Sequence, residues 1–164
     1  MKNILLILML IAPSLVKCQV TSNIISETEF NNIKINNVTL SAIKATNGDY
    51  TLISNLTLGT ITENTQEQEV QYYYYIYNGF NISFSENEMS SFEITNNNWN
   101  INIQGNIVTI GSDISTLGNV VVNNDIGGGK SIIYQYCDGC NNYIFINFDT
   151  STNKITEIGF IEQT

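Results

Sequence analysis

Chemistry in this chain would have to come from a short set of side chains. Cys137-Asp138-Gly139-Cys140 sets two thiols on either side of a turn dipeptide. A thioredoxin-like redox pair needs a helix beginning at the motif, whereas Ile132 to Tyr136 and Tyr143 to Phe148 alternate as strands do. The pattern therefore predicts a structural disulfide between Cys137 and Cys140, closing a hairpin tip in an oxidising compartment. Zinc would need a second ligand pair, but the chain has no histidine and its third cysteine, Cys18, lies in an N-terminal segment expected to be a signal. Gly127-Gly128-Gly129-Lys130-Ser131 invites a phosphate-loop reading. That loop requires glycine at position 124, where Asn124 stands, and a helix after the serine, where a strand is predicted. The glycines read instead as a flexible link. Without histidine there is no histidine-assisted serine or cysteine nucleophile. The carboxylate pairs Glu86/Glu88 and Glu67/Glu69 read as solvated charges. No catalytic residue, cofactor or metal ligand is assigned, and the chain is not expected to be an enzyme.

What remains is binding, with a structural or assembly role as a lipoprotein of the bacterial cell envelope as the alternative. In a strand over Tyr72-Tyr73-Tyr74-Tyr75-Ile76-Tyr77, Tyr72, Tyr74 and Ile76 point one way while Tyr73, Tyr75 and Tyr77 point the other. One set can fill a single core; the other must face solvent or lie under another element. A tyrosine row offers large, rigid contact area of the kind protein interfaces favour. Tyr73, Tyr75 and Tyr77 are taken as the candidate row for a protein partner, with packing on both sides as the alternative. Trp99 reads as core.

The elements that must position these residues repeat once. Ile33 to Leu40 is answered by Ile101 to Ile110, each a short hairpin around an Asn or Gly-Asn turn. Asp49 and Asp113 are each placed to cap a helix, and Gly59 and Gly118 each to end one. Tyr72 to Tyr77, Asn78-Gly79 and Asn81 to Ser85 then run parallel to Ile132 to Cys137, Asp138-Gly139 and Tyr143 to Asp149. Phe92 to Thr95 and Ile155 to Ile161 close the two copies. The fold class is α+β: two tandem units, each a short helix packed on an antiparallel β-meander, β-rich overall. The expected organisation is a signal peptide over 1–18, a linker over 19–30 and repeat units over 31–98 and 99–164.

A capped short helix ending in Leu-Gly and followed by antiparallel strands, as in Ile53 to Gly59 and Asp113 to Gly118 with their hairpins, resembles two groups of exported proteins. These are the small outer-membrane lipoproteins associated with β-barrel assembly and the tandem-repeat β-lactamase inhibitor proteins. The resemblance implies a duplicated α+β domain that binds or assembles with other proteins; in that family the helix is usually longer and a second helix precedes it.

The N-terminus and the composition set the compartment. Lys2 and the apolar run Ile4 to Val16 fit a cleaved export signal, the run being shorter than the ~20 residues a membrane-crossing helix needs. Two processing routes stay open, lipidation at Cys18 or plain cleavage before Gln19. The chain is thus expected outside the cell, in a periplasm or anchored to an outer membrane. The formal net charge is −9, without a single arginine. Such a surface repels phosphate backbones and anionic membranes, so nucleic acid is not an expected partner and any membrane contact would run through a lipid on Cys18. Three N-glycosylation sequons, at Asn37, Asn55 and Asn81, carry no weight in a chain this rich in Asn, Ser and Thr.

Overall fold

A computed structural model of the chain describes residues 22–67, 69–124 and 129–162. The apolar N-terminal run, Cys18, Gly127 and Gly128 lie outside the described residues. The first described elements fall where a linker was expected: β1 (Asn23–Ile24) and α1 (Glu27–Asn31). The reason is a capping box. The Ser26 hydroxyl accepts the Glu29 N–H while the Glu29 carboxylate accepts the Ser26 N–H, and the helix so anchored buries Phe30.

Next come β2 (Lys34–Ile35) and β3 (Val38–Thr39), joined through Asn36 and Asn37, both at positive φ. Two consecutive positive φ values match the right-handed twist of a tight hairpin, and asparagine tolerates them. Thr39 then caps α2 (Leu40–Lys44), a helix the sequence reading missed. Asp49 caps α3 (Tyr50–Asn55) as predicted, its Oδ1 accepting the Leu52 N–H at 2.9 Å. Gly59 does not end α3, because Leu56 already turns the backbone extended. The strands β4 (Ile61–Glu67), β5 (Tyr72–Tyr77), β6 (Phe80–Ser85) and β7 (Glu88–Ile94) follow. Then come β8 (Ile101–Ile103) and β9 (Asn106–Val108). Asp113 caps a short 3₁₀ helix (Ile114–Leu117) in place of an α-helix, and Gly118 ends it at φ +80°. The chain closes with β10 (Asn123–Asn124), β11 (Lys130–Gln135), β12 (Asn142–Asp149) and β13 (Lys154–Glu162). Because Lys130 and Ser131 begin a strand, no helix follows the glycine run as a phosphate loop would require.

The protein is β-rich, with antiparallel sheets and a few short helices. Among the described residues one sheet has nine strands in the order β1-β11-β12-β13-β7-β6-β5-β4, with β10 beside β11; β1 pairs with β11 in parallel and the others pair antiparallel. The other has four, in the order β3-β2-β8-β9. The meander β5-β6-β7 meets the meander β11-β12-β13 through their last strands, and the hairpin β2-β3 meets β8-β9 through their first strands. Both meanders carry a register shift at the same place, between Ser83 and Phe84 in one and between Asn147 and Phe148 in the other. At the seam the rings of Phe92 and Phe160 stack with centroids 5.7 Å apart.

A single core fills the space between the sheets. The large sheet supplies Tyr75, Phe80, Ile82, Phe84, Ile144 and Ile146 among others; the small sheet and helices answer with Phe30, Ile35, Leu40, Ile43, Ile53 and Ile101. Trp99 is buried there as predicted, its ring stacked on Phe80 at 4.6 Å and its Nε1 donating to the Asn78 carbonyl at 2.7 Å. Burial of these apolar faces is the main cohesive term, at roughly 25 cal/mol per Å² removed from water.

Candidate binding face

Strand alternation divides β5 as expected but assigns the two sets the opposite way from the candidate row. Tyr75 is 0% exposed and Tyr77 2%, and Tyr73 is half-buried against the same core. They cannot offer a contact row to a partner. The deciding signal was in the sequence: the two-residue loop Asn78-Gly79 sets Tyr77 opposite Phe80 and Tyr75 opposite Ile82, and directly opposed residues share a face. The alternation of β6, apolar at Phe80, Ile82 and Phe84 and polar at Asn81, Ser83 and Ser85, fixes that face as the core.

The tyrosines left outside are Tyr72 and Tyr74, with Ile76, all partly exposed. Register carries this outer face across both meanders. One row runs Glu63, Ile76, Asn81 and Glu93 through the first meander and continues into Gly159, Phe145 and Ile133 in the second. The next row runs Thr65, Tyr74, Ser83 and Ser91 and continues into Ile161 and Tyr143. The aromatic groups of the second meander, Tyr143 and Phe145, could not be found from the tyrosine run and needed the β7–β13 pairing.

Two local arrangements give this face its shape. In the middle, Ser83 Oγ lies 2.6 Å from Ser91 Oγ and 2.8 Å from Ser90 Oγ, a hydroxyl cluster satisfied within itself and low in profile. Towards the second meander, a Cβ added to Gly159 would stand 2.4 Å from the Phe145 ring, so the ring lies down over the glycine. Beside it opens a shallow depression of about 330 Å³ lined by Ile133, Tyr143, Phe145, Asn147, Glu157 and Ile161, with Ser131. The Asn147 amide donates to the Glu157 carboxylate at 2.7 Å.

The electrostatics are one-signed. Glu63, Glu93 and Glu157 lie on this face by register with Ile76, Asn81 and Asn147, and Glu67 flanks it opposite Tyr72. The lysines of the described residues are elsewhere: Lys34 in the small sheet, Lys44 on α2 paired with Glu162, Lys154 paired with Asp113, and Lys130 opposite the inner-face Phe148. Burial, together with the charges of Tyr72 and Glu93, pushes the Tyr74 hydroxyl above its ordinary pKa, so it stays a neutral donor and acceptor at physiological pH.

Cys137 and Cys140 form the predicted disulfide, with Cα atoms 5.5 Å apart, in the turn between β11 and β12. The Gln135 amide donates to the Cys140 carbonyl at 2.7 Å and steadies the same turn. Among the described residues no three acidic or cysteine side chains gather within reach of one metal ion, and no helix is long and apolar enough to cross a membrane. Comparison with protein-family models, with curated proteins and with solved structures gives no match.

Proposed function

We propose that the chain is an exported, non-enzymatic binding module that recognises a protein through the outer face of its large sheet. The observation that carries this reading is the partly exposed aromatic and aliphatic set Tyr72, Tyr74, Ile76, Tyr143, Phe145 and Ile161 on one sheet face, opposite the face that packs the core. Aromatic side chains on a rigid sheet bind with little entropic loss. Export is supported by the N-terminal apolar run and by a disulfide of the kind that persists in oxidising compartments.

The domain itself we read as two tandem copies of one unit, in line with the resemblance to tandem-repeat inhibitor proteins. Support comes from the matching order of hairpin, capped helix and four strands, from the shared bulge position, and from seams that join like strands. The first copy has the preceding helix that the resemblance calls for, α2; nothing equivalent stands between β9 and the 3₁₀ helix.

A photo-crosslinking side chain placed at Tyr74 or Tyr143 tests the binding face in the native host. It should capture a protein that the same group at Ile107, on the exposed edge strand of the small sheet, does not. Capture from Ile107 alone refutes the assignment. Intact mass of the mature chain tests export, which requires a start at Cys18 or Gln19; retention of Met1 refutes it.

A further inference from the structure

We propose that, given the binding face argued above, its occupant is a protein surface that presents an arginine, received where Glu93, Gly159, Phe145 and Glu157 meet. Gly159 stands directly between Glu93 on β7 and Phe145 on β12. With no side chain at that position, the Phe145 ring rests over the glycine, Glu93 is exposed on the adjacent strand, and the shallow depression beside the ring is lined in part by Glu157. Glu157 is the next residue of β13 on the same face, held by the Asn147 amide at 2.7 Å. Glu93 and Glu157 are diagonal neighbours on adjacent strands, roughly 7–8 Å apart. That is a span one planar guanidinium can bridge.

Charge decides what kind of protein fits. The face carries Glu63, Glu93 and Glu157 with Glu67 at its margin, and no lysine of the described residues points onto it. The ion pairs of the described residues engage other carboxylates, Glu162 and Asp113. An acidic partner would be repelled, and an apolar one would leave Glu93 and Glu157 desolvated without a counter-charge, at a cost in free energy. A guanidinium stacks on an aromatic ring and donates to two carboxylates in its plane, which an ammonium cannot match. The inner face of the same strand holds a simpler cation between a ring and a single carboxylate: Lys44 Nζ lies 5.0 Å from the Phe160 ring centroid and 3.4 Å from the Glu162 carboxylate.

The test uses ¹⁵N-labelled mature chain and two synthetic peptides, Gly-Leu-Arg-Tyr-Arg-Leu-Gly and its counterpart with glutamate in place of each arginine. The arginine peptide should shift the amides of Glu93, Phe145 and Gly159 and bind more weakly as salt rises, and the glutamate peptide should not bind. Glu93→Gln with Glu157→Gln should weaken binding by at least about tenfold, the loss of charge at both carboxylate contacts. Glu27→Gln with Asp138→Asn, equal in charge but off the face, should change it less than twofold; unchanged melting temperatures verify folding of both variants. Full binding by the first double variant, with loss only in Phe145→Ala and Tyr143→Ser, overturns the arginine and leaves the face standing. Shifts elsewhere, or none with millimolar peptide, also overturn it, while the crosslinks from Tyr74 and Tyr143 report on the face independently.

Discussion

Two neighbouring tyrosines on β5 should respond oppositely to loss of their hydroxyls. Tyr75 is 0% exposed, and its hydroxyl donates to the Gly48 carbonyl at 2.5 Å. Tyr77 is 2% exposed, and its hydroxyl has no hydrogen-bond partner among the described residues. Phenylalanine preserves every ring contact at both positions, including those of Tyr77 with Trp99 at 5.4 Å and with Phe80 at 5.6 Å. Tyr75→Phe removes a hydrogen bond and strands a carbonyl, at a cost of about 1–2 kcal/mol. Tyr77→Phe removes a buried group that gave up water for nothing, so it should be neutral or stabilising by about 1 kcal/mol. The variants should therefore differ by about 1–3 kcal/mol. At roughly 3 °C per kcal/mol for a chain of this size, that places their melting temperatures on the order of 3–9 °C apart, with Tyr77→Phe the higher. Urea unfolding should show the same order at unchanged m-value. Equal destabilisation by both substitutions would mean that the Tyr77 hydroxyl has a partner, and the reasoning would fail.

Three further outcomes are expected. Burial, the largest cause in each case, pushes the Tyr75, Tyr77 and Tyr134 hydroxyls up to about 12; the folded state then holds protons that the unfolded chain releases near pH 10. Stability from this source is intact below pH 10 and lost as pH rises towards 12, so urea midpoints should fall across that window, and a flat profile would contradict it. Gly159→Ala sets a methyl against the Phe145 ring and 3.1 Å from the Phe92 carbonyl; a loss of about 1–2 kcal/mol in urea unfolding is expected, and Phe145→Ala should relieve part of it. Reducing Cys137–Cys140 should cost about 1–2 kcal/mol without unfolding the domain, because so short a loop removes little chain entropy; thiol titration before reduction should find neither cysteine free.

Much of the local structure was legible because it is written in short-range chemistry. Asp49 and Asp113 cap the elements they precede, Asn-Gly marks the β5–β6 turn, and the two cysteines flank a tip that brings them within bonding distance. The capping box at Ser26 and Glu29 is equally short-range, and it places α1 inside the segment expected to be a linker. β4 was hidden for a physical reason: it is an edge strand whose residues face water on both sides, so Ile61 to Glu67 carries no apolar alternation. The wrong choice of tyrosine row shows where one strand's pattern ends. Period two separates Tyr72, Tyr74 and Ile76 from Tyr73, Tyr75 and Tyr77, but only the partner strand says which set is inside.

The β7–β13 seam is the part no local rule could supply, and the candidate face depends on it. Phe92 and Ile94 on β7 and Ile158 and Phe160 on β13 are all buried on the core side. Separated, each meander would end in a strand with an apolar inner face and a bare row of backbone donors and acceptors, open to pairing with any other chain. Pairing the two strands satisfies both rows, stacks Phe92 on Phe160 and makes one core from two. It also sets Glu93 of the first half against Gly159 of the second and so brings Phe145 beside it. The acidic group, the glycine and the ring each read as unremarkable in their own strands; they become a candidate site because the seam that completes the fold also aligns them.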